Sequence, residues 1–424
     1  GEAGGNIIFN GDVSDSLDEA THALQISPGT GDVVFNGEIG VPNPIGRLII
    51  GDENTLNADL VGDQTIIFNS LTVNAQNTTV AGTIQTSGGP ITFTGDITLL
   101  TDVTFDTGES TGDITFGGSI ASAADAAHDL ILRAGIGDIE FGGAIGARSN
   151  DGTIDLGRII IESAANVTTP DDVSITIAAE SFTQKTGSST TNLQGEIRTT
   201  DPEGVNINAN SVTLGNINAD QGSVNLTATN GEITTAKVEG QTVELQASTD
   251  INTTDITATE TVNLRANNGE ITTAKVEAPI VALQADTNIN TTDVTADETL
   301  SLRANNGEIT TAKVKAPIVA LQADTNINTT DVTADEGDIT LNAQTGSITT
   351  SNLNAEKGQV NVTAGDRIIT ATVTGQTVQL EANNNIATTN VTSTNGAINL
   401  TTQSGSIASG DLTAKGESGE NTVT

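Results

Sequence analysis

The 424-residue sequence contains no cysteine, methionine, tryptophan or tyrosine, and its eight phenylalanines all lie between Phe9 and Phe182. Without cysteine the chain can form neither disulfides nor zinc–thiolate sites, and it has no thiol for redox chemistry. Residues 183–424 also have no aromatic side chain that could stack on a base or a sugar ring. Stability must therefore come from another source.

Long apolar runs and leader segments are missing as well. The longest apolar run, Ala278–Leu283, has six residues and includes Pro279, whereas a membrane-spanning helix needs roughly 18 or more. The sequence starts at Gly1 without a methionine, and neither end has the basic, apolar and small-residue regions of a signal peptide. We therefore expect a mature or excised piece with no membrane insertion.

Positive charge is scarce. The chain has 15 Lys and Arg against 54 Asp and Glu, which gives a net charge of −39. Such a surface repels phosphate backbones and anionic headgroups, so we expect no nucleic-acid partner. A high net charge with only 35% apolar residues is also typical of disordered chains. The repeat pattern decides against disorder.

An apolar–x–apolar pair recurs from Val205 onward with a period of about 19 residues, followed by an Ile and then a Val or Ile. Such a period is typical of solenoids, whose units bury their apolar faces against each other. The apolar residues do not follow the 3.6-residue period of an α-helix, which disfavours helices. The leucine pattern is too sparse for leucine-rich repeats. We predict an all-β fold, a parallel β-helix (β-solenoid) of about 20 coils. The pairs are Val205/Ile207, Val224/Leu226, Val243/Leu245, Val262/Leu264, Val281/Leu283, Leu300/Leu302, Val319/Leu321, Ile339/Leu341, Val360/Val362, Val378/Leu380 and Ile398/Leu400.

Three further columns are expected to stack about 4.8 Å apart from coil to coil. In the first column we expect threonine hydroxyls to hydrogen-bond in a line and to face inward or a corner; the second is alanine, where the chain turns tightly. The third column alternates between positive and negative charge, which would set the register of each coil on the next. The threonine column is Thr235, Thr253, Thr273, Thr291, Thr311, Thr329, Thr350, Thr370, Thr388 and Ser409. The alanine column is Ala228, Ala247, Ala266, Ala285, Ala304, Ala323, Ala343, Ala364 and Ala382, and the charged column is Lys237, Asp255, Lys275, Asp293, Lys313 and Asp331.

The first part of the chain repeats the same pattern in longer coils. Ile91, Ile114 and Ile139 occupy equivalent positions in the related phrases GGPITFTGDI, GDITFGGSI and GDIEFGGAI. We predict looser, Phe-containing coils at residues 1–182, an irregular loop or insertion at 183–204, and regular 19-residue coils at 205–424. We expect one continuous rod.

Several phrases resemble a known family. They are GDIEFGGAIG from Gly137, the strand Pro44–Ile50 and TLGNINADQGSVNLTA from Thr213. These phrases are similar to the repeats of filamentous haemagglutinin-like exoproteins of two-partner secretion, and the similarity covers most of the chain. The resemblance implies a right-handed β-helical shaft at the cell surface and a role in adhesion.

The residues suggest no catalytic, cofactor-binding or metal site. His22 and His128 lie outside the regular repeats, and we interpret them as surface loop residues. Gly-Asp pairs such as Gly112-Asp113 favour structural turns over calcium ligation. The threonine column could bind ice only if it faced outward, and the N-x-S/T triplets are expected from composition.

We therefore expect a secreted, non-enzymatic rod, extracellular or on the cell surface, that is structural or adhesive. The alternative is a carbohydrate-active β-helix enzyme, a polysaccharide lyase or hydrolase. Asn6–Phe9 is already a core-type strand, and the pattern continues to Leu412 without a polar capping repeat. We expect end-to-end association with other solenoid units, and host or neighbouring-cell surface glycans or proteins as further partners.

Overall fold

The fold is a parallel β-solenoid of about 19 turns, which confirms the predicted fold class. The computed structural model describes residues 5–16, 22–52, 54–123, 126–146, 156–187 and 189–415. Within these residues all of the regular secondary structure is β-strand. The contacts divide the chain into two compact units, unit 1 (Gly1–Thr227) and unit 2 (Ala228–Thr424), and each is described by itself.

The described strands of unit 1 are mostly short and follow one another closely. They are β1 (Ile7–Phe9), β2 (Ala23–Ile26), β3 (Val33–Phe35), β4 (Ile45–Ile50), β5 (Asn57–Leu60), β6 (Gln64–Val73), β7 (Asn77–Thr86), β8 (Ile91–Phe93), β9 (Asp96–Asp106), β10 (Ile114–Phe116), β11 (Ile120–Ser122), β12 (His128–Arg133), β13 (Ile139–Phe141), β14 (Leu156–Ser163), β15 (Val167–Thr168), β16 (Ile175–Ala179), β17 (Phe182–Gln184), β18 (Thr190–Thr199), β19 (Val205–Ala209), β20 (Ser211–Ala219) and β21 (Val224–Ala228).

The described strands of unit 2 alternate between very short and longer ones. They are β22 (Ile233–Thr234), β23 (Val238–Ala247), β24 (Ile251–Asn252), β25 (Asp255–Ala266), β26 (Ile271–Thr272), β27 (Lys275–Ala285), β28 (Ile289–Asn290), β29 (Asp293–Ala304), β30 (Ile309–Thr310), β31 (Lys313–Ala316), β32 (Ile318–Ala323), β33 (Ile327–Asn328), β34 (Asp331–Ala334), β35 (Ile339–Ala343), β36 (Ile348–Thr349), β37 (Asn352–Ala355), β38 (Val360–Ala364), β39 (Ile368–Ile369), β40 (Thr372–Gly375), β41 (Val378–Ala382), β42 (Ile386–Ser393), β43 (Ile398–Thr402) and β44 (Ile407–Ala414).

In unit 1 the strands stack into three parallel ladders, which we name face 1, face 2 and face 3. Face 1 contains β1, β3, β5, the first halves of β7 and β9, and β11. Face 2 contains the second halves of β7 and β9, then β12, β14, β17 and β19. Face 3 contains β2, β4, the second half of β6, β8, β10, β13 and β15.

Unit 2 has the same three positions, and we keep the names. Face 1 contains the first halves of β23, β25, β27 and β29, then β31, β34, β37 and β40. Face 2 contains the second halves of those four strands, then β32, β35, β38, β41 and β43. Face 3 contains β22, β24, β26, β28, β30, β33, β36 and β39.

The core is built from the inward side chains of alternating strand positions. In β25, Val262 and Leu264 are buried, whereas Asn263 and Arg265 between and after them are exposed, as the two-residue period of a strand requires. Every apolar pair predicted from the sequence is at most 5% exposed. Burial of one such side chain stabilises the fold by about 1.5–3 kcal/mol, so the predicted register is also the main source of stability.

Phenylalanines fill the wider coils of unit 1. The rings of Phe93 and Phe116 stack with centroids 6.3 Å apart, and those of Phe116 and Phe141 with centroids 5.8 Å apart. Phe105 packs edge-on against Phe116 at 5.2 Å. The register pairs Ile114 with Ile91 and with Ile139, which confirms their predicted equivalence. Coils of 23 and 25 residues therefore enclose a layer of rings.

The alanine column and the threonine column both face the interior. Each of the nine alanines is at most 2% exposed, and Thr235 to Thr388 are 4–8% exposed. The predicted hydroxyl line is wrong, however. Thr253 donates instead to the main-chain oxygen of Ala236 at 2.9 Å, and Thr273 to that of Thr254 at 2.9 Å. From Thr253 to Thr388 the threonines thus bind the preceding coil through its backbone.

The alternating charged column is in the predicted register. Lys275 lies between Asp255 and Asp293, and Asp293 pairs in turn with Lys313. The closest ionic partner of Lys275 is nevertheless Glu277 of its own strand, with Nζ and Oε1 2.7 Å apart. The hydrogen bond to Glu277 raises the pKa of Lys275, and the two aspartates add smaller effects.

Strands continue through residues 183–204, which the sequence predicts as irregular. Strand β18 pairs with β15 and β16 on one side and with β20 on the other. Thr191 and Leu193 of β18 are buried. The segment is polar and turn-rich overall, but buried and outward residues alternate along β18. The turn residues Asp201–Gly204 lie between strands.

Candidate functional site

The two histidines lie apart from each other. His22 is 65% exposed, and its Nδ1 lies 2.9 Å from Oδ1 of Asp15, whose side chain is 3% exposed. His128 is not a loop residue as predicted, because it begins β12, and its side chain is only 20% exposed. Its Nδ1 lies 3.8 Å from Asp102. Each histidine thus faces one carboxylate.

Aspartates at the Gly-Asp corners accept main-chain hydrogen bonds from the next coil. Oδ1 of Asp113 accepts from the N–H of Asp138 at 2.8 Å, and Oδ1 of Asp138 accepts from the N–H of Asn166 at 3.0 Å. Unit 2 repeats this with Asp250 and the N–H of Glu270 at 2.8 Å. These carboxylates complete the backbone ladder where the chain turns, as a structural turn requires. Among the described residues, no three His, Asp or Glu side chains are grouped to hold a metal.

Four charged side chains form a coil-to-coil ladder on face 2 of unit 1. Arg133 lies between Asp106, at 3.6 Å, and Glu162, at 2.5 Å. Lys185 of the next coil binds the other oxygen of Glu162 at 2.9 Å. The hydrogen bonds from Arg133 and Lys185 hold the pKa of Glu162 below its ordinary value. Because these groups are partly exposed, we expect each pair to contribute on the order of 0.2–1 kcal/mol.

This ladder was not predicted from the sequence, although the sequence contains a signal for it. Each of the four charges follows the last core residue of its strand, and their signs alternate. The intervals between them are unequal, with 29 residues from Arg133 to Glu162 and 23 from Glu162 to Lys185. A search for a fixed period therefore does not find them.

The corner between face 3 and face 1 of unit 1 varies in length. Six residues connect β4 to β5 and six connect β15 to β16, whereas only residues 74–76, 94–95 and 117–119 connect the intervening strands β6 to β7, β8 to β9 and β10 to β11. A Cβ on Gly118 would lie 2.4 Å from the backbone of Gly95 in the preceding coil. Glycine, which has no side chain, therefore allows the short connections of this corner to pack closely on each other, so that they project less than the six-residue connections.

A groove lies along the low part of this corner. One section of about 700 Å³ is lined by Gln25, Ile49, Gly51, Asp52, Asn54, Asn74 and Thr94. The adjoining section, of about 320 Å³, shares Asn74 and Thr94 and adds Ala75, Gln76, Gly95, Asp96 and Gly118. We name the two sections together the corner groove. It crosses five consecutive coils, so it is about 19 Å long at about 4.8 Å per coil.

The described residues contain no helix long and apolar enough to cross a bilayer. Comparison with known families, curated proteins and solved structures gives no significant match to any of them. The resemblance to haemagglutinin-like repeats therefore stays a prediction.

Proposed function

We propose that this chain is an extracellular structural or adhesive rod, secreted and then built into a bacterial surface shaft or filament that assembles end to end. The main support is the parallel coil stack, because a stack of open coils can be extended by further coils of the same kind. The resemblance to haemagglutinin-like repeats points to the same role.

The strands at the two ends of the described part are suited to such extension. In the described residues β1 pairs with β3 on one side, and β44 pairs with β42 on one side. The opposite side of each strand presents main-chain N–H and C=O groups that another strand can bind. Ile407 of β44 faces the core but is 43% exposed, whereas its register partner Ile386 is fully buried.

A second solenoid unit would continue the ladder in register. The second half of β44 continues face 1 of unit 2 through the second half of β42, which pairs with β40. A copy placed with its β1 on this half of β44 would add a parallel strand to face 1 of unit 2. This contact joins two different surfaces and does not close on itself, which is the geometry of a filament. The net charge of −39 opposes such contact at low salt and favours it when salt screens the charge.

The proposal is tested by light scattering and negative-stain electron microscopy of the chain over a concentration series at low and high salt. We expect filaments whose length increases with concentration and salt, and Ile407→Asp should prevent their growth. Ile369→Asp is the matched control, because Ile369 is 39% exposed on face 3 two coils earlier.

A chain that stays monomeric at all concentrations, with slowly exchanging amides in β1 and β44, would contradict the assembly. Steady release of products from polysaccharides would replace the proposal with the enzyme alternative.

A further inference from the structure

The corner groove is distinguished by amide side chains without partners. Asn residues at the corners of other coils bind the neighbouring coil, as Asn166 does with Nδ2 2.8 Å from Asp138. In the described structure the side chains of Gln25, Asn74 and Gln76 make no such hydrogen bond. Each amide has two N–H donors and an accepting oxygen, so the groove offers polar groups that the fold does not use.

Two carboxylates of the corner groove are already held in position. Oδ1 of Asp52 accepts the N–H of Asn54 at 2.9 Å. Oδ1 of Asp96 accepts the N–H of Ser119 at 2.7 Å and its hydroxyl at 2.8 Å. In both cases Oδ2 has no partner among the described residues. An oriented carboxylate oxygen is a strong acceptor for a hydroxyl donor.

The lining of the groove excludes several classes of ligand. Its two charged residues, Asp52 and Asp96, are both acidic, so an anionic ligand such as a sulfated glycan or a nucleic acid would be repelled. An amphipathic helix needs an apolar groove, and a peptide strand needs an open sheet edge. The large apolar side chain in the lining is the half-buried Ile49, and the corner is not a sheet edge.

We propose that the corner groove binds a neutral linear oligosaccharide. This deepens the proposed adhesive function and rests on it. Hydroxyls of different sugar units can donate to the free oxygens of Asp52 and Asp96, which lie two coils apart. The same units can exchange hydrogen bonds with the amides of Gln25, Asn74 and Gln76. A length of about 19 Å at about 4.8 Å per coil accommodates a short oligosaccharide along the stack. The sugar lies across the coils, so successive coils bind successive units.

The test uses the full chain on an array of neutral and sulfated oligosaccharides, followed by calorimetric titration with the neutral oligosaccharide that binds best. We expect neutral oligosaccharides to bind and sulfated ones to be rejected. The double variant Asn74→Ala/Gln76→Ala should lower the association constant at least about five-fold, because it removes two groups that bind the sugar. Extending the neutral oligosaccharide from two to four units should strengthen binding.

The matched control is Asn69→Ala/Gln85→Ala, which removes one Asn and one Gln outside the groove; in each pair one residue is exposed and the other half-buried. It should change the association constant less than two-fold, and the melting temperatures of both variants should equal that of the parent. Binding of no neutral oligosaccharide, a preference for sulfated ones, or equal binding by both variants would overturn the proposal. Filament growth is measured on the same samples, so loss of filaments with retained sugar binding contradicts only the assembly, and the reverse contradicts only the groove.

Discussion

The buried threonine column shows what a single polar residue contributes to a coil. Thr291 and Thr311 each donate a hydroxyl hydrogen bond to the preceding coil, to Ala274 at 3.0 Å and to Thr292 at 3.1 Å. The accepting carbonyl of Ala274 also receives the N–H of Thr292. A buried hydroxyl must find a partner, and here the partner is the corner where the backbone leaves face 3. The inward column also disfavours ice binding, which would need these hydroxyls at the surface.

We expect Thr273→Val to lower the free energy of unfolding by about 1 kcal/mol, because it removes one buried hydrogen bond and keeps the shape of the side chain. Thr272→Val is the control, since the neighbouring Thr272 ends β26 and points outward. Chemical denaturation of both variants measures the difference. Equal losses would contradict a structural role for the buried hydroxyl.

At the scale of strands, alternation along each strand decides which residues form the core. Ile271 and Leu283 are at most 1% exposed, whereas Asn267 is exposed at the corner between faces 2 and 3. The oxygen of Asn267 accepts a hydrogen bond from Nε of Arg265 at 2.8 Å. A negative charge is therefore acceptable at the corner and costly inside the strand.

We expect Ile271→Asp and Leu283→Asp each to destabilise the chain by several kcal/mol, because an unpaired carboxylate would be buried. Asn267→Asp should have little effect or a small stabilising one, since the new charge lies beside Arg265. Thermal melts of the three variants separate these outcomes. Similar shifts in melting temperature at all three positions would contradict the assignment of Ile271 and Leu283 to the core and of Asn267 to the surface.

The sequence predicts the strands better than it predicts their side-chain partners. The apolar pairs, the alanine column and the order of charges follow from a period of about 19 residues, and the structure confirms them. The acceptor of Thr273 and the ionic partner of Lys275 depend on distances of a few ångströms at a corner, which no period specifies. The corner groove was missed because it results from differences in loop length between coils.

At the scale of the whole molecule, the unit of repetition in the regular part is two coils. The decapeptide ANNGEITTAK starts at both Ala266 and Ala304. The charged column alternates with the same two-coil period, because each Lys lies between two Asp. In a solenoid each coil mainly contacts its neighbours, so removing one whole two-coil unit leaves the same kinds of contact between adjacent coils.

We expect deletion of residues 271–308, which removes two coils, to leave a chain whose melting temperature lies within about 4 °C of the parent. The new junction joins Glu270 to Ile309. It keeps the parent sequence Asn-Asn-Gly-Glu-Ile, because Glu270 and Ile309 occupy equivalent positions in the two copies of the decapeptide. Deletion of residues 271–288 removes one coil and stacks Asp255 on Asp293. That chain should melt at a lower temperature, and high salt should reduce the difference. Equal melting of the two deletions at low salt would contradict the two-coil unit.

The two-coil repeat also has a consequence for inheritance. Gene segments that encode the same decapeptide twice can recombine unequally, which adds or removes the stretch between Ala266 and Ala304. Each product of such an event keeps the alternation of Lys and Asp, so it is a foldable protein of a different length. Selection can therefore act on the reach of this chain in discrete steps, without waiting for new sequence to arise.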